Sequence, residues 1–165
     1  MKVTDRFVFF FSEKEIYSQW YPSPFEIKGV KFQTAEHYMM FAKACLFGDK
    51  ITADQILQCN SPKEAKALGR KVSPFDAEIW DKKAMSYVRQ ASLAKFRQNP
   101  ELLKTILQHA GKEFVEASPY DKIWGVGLSQ NDPRILNPKN WLGKNQLGLV
   151  LSYVAKELAA ENQVY

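Results

Sequence analysis

The 165-residue chain holds only two cysteines, and Cys45 and Cys59 stand fourteen apart with no Cys-x-x-Cys pattern. That excludes a disulfide framework, and the expectation is two reduced, partly buried thiols within helices. Histidine is equally scarce. His37 and His109 are far apart with no third ligand beside either, so no metal site is expected. Long hydrophobic runs are missing as well. The most apolar cluster, Val8-Phe9-Phe10-Phe11, is too short for a signal peptide or a membrane span. The expectation is a soluble, cytoplasmic chain with no membrane partner. There is no block of basic residues, either. The net charge of +5 is compatible with an anionic ligand, but Lys and Arg are interleaved with Asp and Glu. A phosphorylated small substrate and a polymer fit that pattern equally well. A P-loop, an EF-hand, a Ser-His-Asp order and internal repeats are all absent.

Aromatic and apolar residues are abundant, at 13% and 45% of the chain. Such a composition excludes disorder over most of the length, and the natural expectation is a single domain, residues 1–165. Residues 7–11 read as a buried strand. Trp20-Tyr21-Pro22-Ser23-Pro24 reads as a rigid, extended segment. Residues 25–27 and 30–32 alternate apolar and polar about Lys28-Gly29, which predicts a hairpin. Thr34 as N-cap starts a helix that runs to about Gly48. Thr52 with Gln55 predicts a short helix over 52–58. Ser61-Pro62-Lys63-Glu64 opens one that ends near Gly69-Arg70. Ser73-Pro74-Phe75-Asp76 opens the longest, to about Gln98, with Ile79, Trp80, Met85, Val88, Leu93 and Phe96 as its apolar positions. Pro100 starts another that stops at Gly111. Residues 113–117 are a candidate strand, and residues 145–160 a final helix. Between them, 118–143 shows no period, yet its Trp124, Ile135, Leu136 and Trp141 predict an ordered loop. The class expected is mainly α (α+β): a multihelical domain with a small N-terminal hairpin or sheet.

Two constellations have the residue types of a reactive site. On the helix after Thr34, Glu36 and Lys43 are seven apart, so they lie about two turns from each other on nearly the same side. Glu36 also suits the first turn of a helix dipole, and a solvated lysine is the ordinary reading of Lys43. In Trp124-Gly125-Val126-Gly127 the glycines free the backbone to approach a ligand, Trp124 offers a flat face, and Asp121 stands just ahead. A turn with a core tryptophan is the equal alternative. Arg70 either serves a helix dipole or projects its fork at a phosphate. Lys144-Asn145 opens the last helix, where free N–H groups can take an anion and Asn145 can act as cap.

Taken in order, Phe9-Phe10-Phe11, Gln19-Trp20-Tyr21-Pro22-Ser23-Pro24-Phe25, Thr34-Ala35-Glu36-His37-Tyr38 and Lys43 resemble the NADAR, or YbiA-like, family. The resemblance continues through Ser61-Pro62, Ala65-Lys66, Leu68-Gly69-Arg70, Trp80 and Lys95-Phe96, then Asp121, Trp124-Gly125-Val126-Gly127 and Gly143-Lys144-Asn145-Gln146-Leu147-Gly148. Ala35 departs from the serine many members carry. The resemblance implies hydrolysis of an N-glycosidic bond at C1 of a phosphorylated ribose. Two substrates follow from it: ADP-ribose on guanine of DNA or RNA, and a phosphorylated ribosylaminopyrimidine intermediate of riboflavin synthesis. The insertion at 130–141 favours the larger, ADP-ribosyl one. The resemblance makes Glu36 and Lys43 catalytic, and Trp20, Tyr21, Arg70, Trp80, Asp121, Trp124, Gly125, Gly127 and Asn145 substrate-binding, with neither metal nor cofactor. Glu36 would stabilise an oxocarbenium-like centre or activate water. Lys43 would donate a proton, or attack C1 of an opened ribose as an amine. A non-catalytic ADP-ribose or NAD binding module is the reading of another class. The sequence leaves the oligomeric state open.

Overall fold

Phe7–Phe10 is apolar at every position, so it has no face to offer water. In the structure, a computed structural model that describes residues 1–163, it forms strand β2, buried on both sides. It pairs antiparallel with a short β1, Lys2–Val3, and parallel with β5, Glu113–Glu116, in the order β1-β2-β5. Phe7 and Phe9 point to one face and pack with Val115, Val126, Leu128 and Ile135. Phe10 meets Tyr17 behind the sheet, and Tyr17 meets Phe114 edge-on at 4.9 Å. Helix α6, Gln146–Glu161, packs on β5. These elements form one compact unit, built from Met1–Ser18 and the residues from Glu101 onward.

The second unit is continuous, Gln19–Pro100. It begins with the predicted hairpin, β3 Phe25–Ile27 and β4 Val30–Phe32. Lys28 and Gly29 both take positive φ, 51° and 81°, the geometry of a two-residue turn whose twist matches its strands. Four helices follow: α1 Ala35–Leu46, α2 Lys50–Gln58, α3 Pro62–Gly69 and α4 Ala77–Gln98. Helix α1 touches each of the other three. It is therefore buried on most of its circumference, Glu36 and His37 included, rather than along the one apolar stripe that spacing suggested. Helix α5, Pro100–Gln108, follows α4 and ends ahead of Gly111, at φ 91°.

Several local expectations change. The side chain that caps α2 is Asp49, which accepts from the Thr52 N–H; Thr52 itself lies inside the helix and donates its hydroxyl to Asp49. Asp76, not Ser73, caps α4. The first turns of α4 are not core: Ile79 is 44% exposed and Trp80 half-buried. Cys45 is exposed, while Cys59 is buried at the end of α2. The ordered loop is present, with short 3-10 turns at Pro133–Leu136 and Pro138–Asn140. Ile135 is fully buried in the unit's own core, and Trp141 donates its indole N–H to the Ile135 carbonyl at 2.8 Å. Ile135 and Trp141 of the 130–141 segment are thus packed on the unit, while Leu136 is 52% exposed. Among the described residues no helix is long and apolar enough to cross a membrane.

Candidate active site

Helix α1 begins at Thr34, whose hydroxyl accepts from the His37 N–H at 3.2 Å. The same oxygen is 2.7 Å from His37 Nδ1, and His37 Nε2 is 3.2 Å from the Cys59 carbonyl. A neutral imidazole protonated on Nε2 satisfies all three contacts, and burial lowers the pKa of His37 accordingly. His37 is therefore a brace for the start of the helix. Its neighbour Glu36 is only 7% exposed, and the Glu36 N–H donates to the Gln19 carbonyl at 3.0 Å. That bond ties the Trp20-Tyr21 segment to the first turn of α1.

Two turns on, Lys43 is half-buried. Its Nζ lies 4.6 Å from the centre of the Phe75 ring and 5.7 Å from that of Trp80. Burial is the main cause that lowers its pKa; the charge of Arg70 lowers it further, and that of Glu36 raises it. Glu36, Lys43 and Arg70 consequently share one electrostatic neighbourhood. Arg70 reaches it from the exposed C-terminus of α3. The approach depends on Gly69, because a Cβ there would overlap Met40 Sδ of α1. Trp80 is backed by Tyr87 in a stack at 6.0 Å and 19°. Lys66 Nζ stands 5.9 Å from the Trp20 ring, and Lys95 Nζ the same distance from Tyr21. Lys95 is 1% exposed, and burial brings its pKa to about 7. Lys66, Phe75 and Lys95 were not singled out for the site by sequence reasoning. Phe75 read as part of a helix start, and only tertiary packing turns it toward Lys43.

A buried carboxylate in electrostatic reach of an amine whose pKa burial lowers can stabilise positive charge, move a proton, or present a neutral nucleophile. A separate cavity of about 410 Å³ opens on the other side of α1, lined by Val30, Phe32, Tyr38, Cys45 and Tyr87. Tyr38 and Cys45 lie roughly half a turn around the helix from Glu36 and Lys43, so this cavity does not contain the pair.

The remaining expected site residues lie in the other unit. Asp121 Oδ1 accepts from the Ile123 and Trp124 N–H groups, at 2.9 and 2.8 Å, and folds the loop into a tight turn. Gly125 is forced by crowding, since a Cβ there would stand 2.9 Å from the Asp121 and Glu116 carbonyls. Gly127 takes φ 72°. The carbonyls of Lys122, Ile123, Trp124 and Gly125 accept from the N–H groups of Lys144, Gln146, Leu147 and Asn145, respectively. The start of α6 is therefore already supplied with acceptors, which corrects the reading of those N–H groups as an anion site. Asn145 is left-handed, at φ 52°, and makes no side-chain cap. Its amide instead bridges β5, accepting from the Glu116 N–H and donating to the Phe114 carbonyl. Among the described residues no group of three or more His, Cys, Asp or Glu is placed to hold a metal ion.

Residues 8–159 match the model of the NADAR domain, a span that runs through both units. The chain is 41% identical to "N-glycosidase R617" of Acanthamoeba polyphaga mimivirus, over 93% of this chain and 97% of that one. It is 39% identical to "Protein irg-1" of Caenorhabditis elegans, covering 94% and 81%. With "N-glycosidase YbiA" of Shigella flexneri serotype 5b (strain 8401) the identity is 30%, covering 95% and 91%. The NMR structure of the E. coli protein YbiA superposes with a TM-score of 0.79 at 27% identity, over 99% of this chain and 92% of that one. The match in sequence from β2 to α6, and in fold over nearly every residue, places the chain in the NADAR domain family.

Proposed function

We propose that this protein is a hydrolase of N-glycosidic bonds that releases ADP-ribose from guanine bases of nucleic acid. The observation that carries the reading is the buried Glu36 carboxylate on the same side of α1 as Lys43, with Arg70 in electrostatic reach. The relatives named N-glycosidases supply the reaction type. In the reaction the C1–N bond breaks, and the base leaves with the electron pair and takes up a proton. Water adds its oxygen to C1 and gives up the balancing proton. Glu36 stabilises the positive charge at C1 and accepts the proton from water. Lys43 either protonates the leaving base or, as the neutral amine, forms a Schiff base with C1 of the opened ribose that water then hydrolyses. In this reading Arg70 and Lys66 supply the cations that pair with phosphate.

Two features support ADP-ribosyl guanine over the phosphorylated ribosylaminopyrimidine. Aromatic rings lie at both ends of the Glu36–Lys43 line: Trp20 and Tyr21 by the Gln19 anchor, Phe75 and Trp80 by Lys43. ADP-ribosyl guanine carries a flat base at each end, whereas the pyrimidine intermediate carries one. More than one cation near the site also suits a diphosphate.

The test is product release from an ADP-ribosylated guanine oligonucleotide, with the ribosylaminopyrimidine phosphate run in parallel. Turnover of the oligonucleotide, reduced at least about 10²-fold in Glu36→Gln with ligand binding retained, is the expected result. Turnover of the pyrimidine alone would reassign the substrate. Binding of ADP-ribose without turnover of either would make the protein a binding module. Borohydride added during turnover, followed by mass spectrometry, should find a ribosyl adduct on Lys43 if the covalent route operates. A fully active Lys43→Ala enzyme would remove that residue from the mechanism.

A further inference from the structure

Lys43 does not rest in open solvent. Its ammonium lies over two aromatic rings, 4.6 Å from the centre of Phe75 and 5.7 Å from that of Trp80. Each ring is supported from behind by another. Phe47 meets Phe75 edge-on at 5.2 Å and 69°, and Tyr87 stacks on Trp80. The backbone around Phe75 is held at both ends. The Ser73 N–H donates to Asp49 Oδ2 at 3.0 Å, and Asp76 accepts from the Glu78 and Ile79 N–H groups to start α4. Yet the Phe75 side chain itself is 47% exposed. A large apolar ring held in place, backed by a second ring and left open to water beside a candidate catalytic amine, is more than core packing asks for.

The two rings lie at most about 10 Å apart, centre to centre, because each is within cation–π range of the same nitrogen. A planar base between two rings needs roughly 7 Å, about 3.5 Å of contact on each side. That spacing lies within the bound set by the two contacts.

We propose that Phe75 and Trp80 form a clamp for the leaving base, and that Lys43 occupies the clamp only while it is empty. Resting on the N-glycosidase reading above, the assignment makes Phe75 a substrate-binding residue and gives Lys43 two positions. A guanine that enters between the rings displaces the ammonium from their faces. The displaced lysine is then beside the base and its C1–N bond, where proton donation or attack has to occur. Binding of the base and delivery of the catalytic amine become one event. The clamp also specifies the substrate class: the base must be planar and unstacked from its neighbours, as an end, a loop or an extruded nucleotide is.

The test uses Phe75→Ala and Phe75→Leu, the latter keeping apolar contact with Phe47 without an aromatic face. Three quantities are read: kcat/KM on the ADP-ribosylated guanine oligonucleotide, Kd for free ADP-ribose, and quenching of tryptophan fluorescence by guanosine 5′-monophosphate. Both variants should lower kcat/KM by about 5- to 150-fold, the scale of losing one base stack. Both should weaken guanosine 5′-monophosphate similarly and leave free ADP-ribose, which lacks the leaving base, within about twofold. Phe75→Trp should restore activity. Unchanged kcat/KM in Phe75→Ala overturns the clamp. So does an equal loss for free ADP-ribose, which would seat the adenine there instead. If the wild-type protein turns over no oligonucleotide but still binds guanosine 5′-monophosphate in a Phe75-dependent way, the hydrolase reading fails and the clamp stands. If it shows neither turnover nor nucleotide binding, both fall.

Discussion

The proton on Lys43 is the most informative single atom of the site. Burial and Arg70 push its pKa down from the ordinary value of about 10.4, and Glu36 pulls it up. Amine-selective labelling with limiting reagent, followed by peptide mass spectrometry across a pH series, reads this directly. The Lys43 midpoint should fall below that of the exposed lysines. Arg70→Ala should raise it, and Glu36→Gln should lower it further. A midpoint that neither substitution moves would mean that the three groups are not coupled. Lys95 gives a second, independent test, because its pKa in the folded protein is about 7. From about pH 10.4, the ordinary lysine value, down to about pH 7, the unfolded chain takes up a proton at this position that the folded chain does not. Lys95 therefore makes stability fall as pH falls through that window, and below pH 7 its penalty is constant. Urea unfolding of the protein and of Lys95→Met at pH 7 and pH 10 should show this contribution to the pH slope in the first and not in the second. Equal slopes would place the folded-state pKa of Lys95 in the ordinary range.

At the scale of elements, α1 and α3 meet because Gly69 has no side chain. Gly69→Ala would force Met40 aside and cost about 1–3 kcal/mol, the usual range for overpacking. By displacing Arg70 it should also raise the labelling midpoint of Lys43, an effect that a mere loss of stability would not produce. Urea unfolding and labelling of the same preparation separate the two. The helices and the hairpin were readable because their signals are local. Thr34 and Ser61 cap the helices they were expected to cap, and Lys28-Gly29 carries the positive φ of its turn within two residues. What could not be read is set by distant partners. Asp49 outcompetes Thr52 as the cap of α2 partly because it also accepts from the Ser73 N–H, 24 residues away. The Asn145 amide, read as a helix cap, answers to the backbone of β5 about 30 positions earlier. Phe75 looked like a helix-start residue because nothing in its neighbours announces that Lys43 lies beneath its ring. The line of Glu36 and Lys43 was visible from spacing alone; the rings and cations around it were not.

At the scale of the molecule, the first unit is built from both ends of the chain, joined by the parallel pairing of β2 with β5. Removing residues 1–10 deletes β1 and β2, and takes Phe7 and Phe9 out of the core around Ile135. A buried phenylalanine costs about 3–5 kcal/mol when truncated, and whole domains are stable by only about 5–15 kcal/mol. Hydrogen exchange should therefore find the amides of Phe114 and Val115 unprotected in the truncated protein, and native-like protection there would show that β5 has its support from elsewhere. The same pairing has a consequence on the ribosome. Phe7–Phe10 is made roughly 100 residues before its partner Glu113–Glu116, about 5–20 s at ordinary elongation rates. Throughout that interval this apolar strand lacks the β5 partner it pairs with in the folded unit. An apolar strand without its partner is prone to aggregate, so the yield of folded protein should fall as synthesis of the segment between β2 and β5 is slowed.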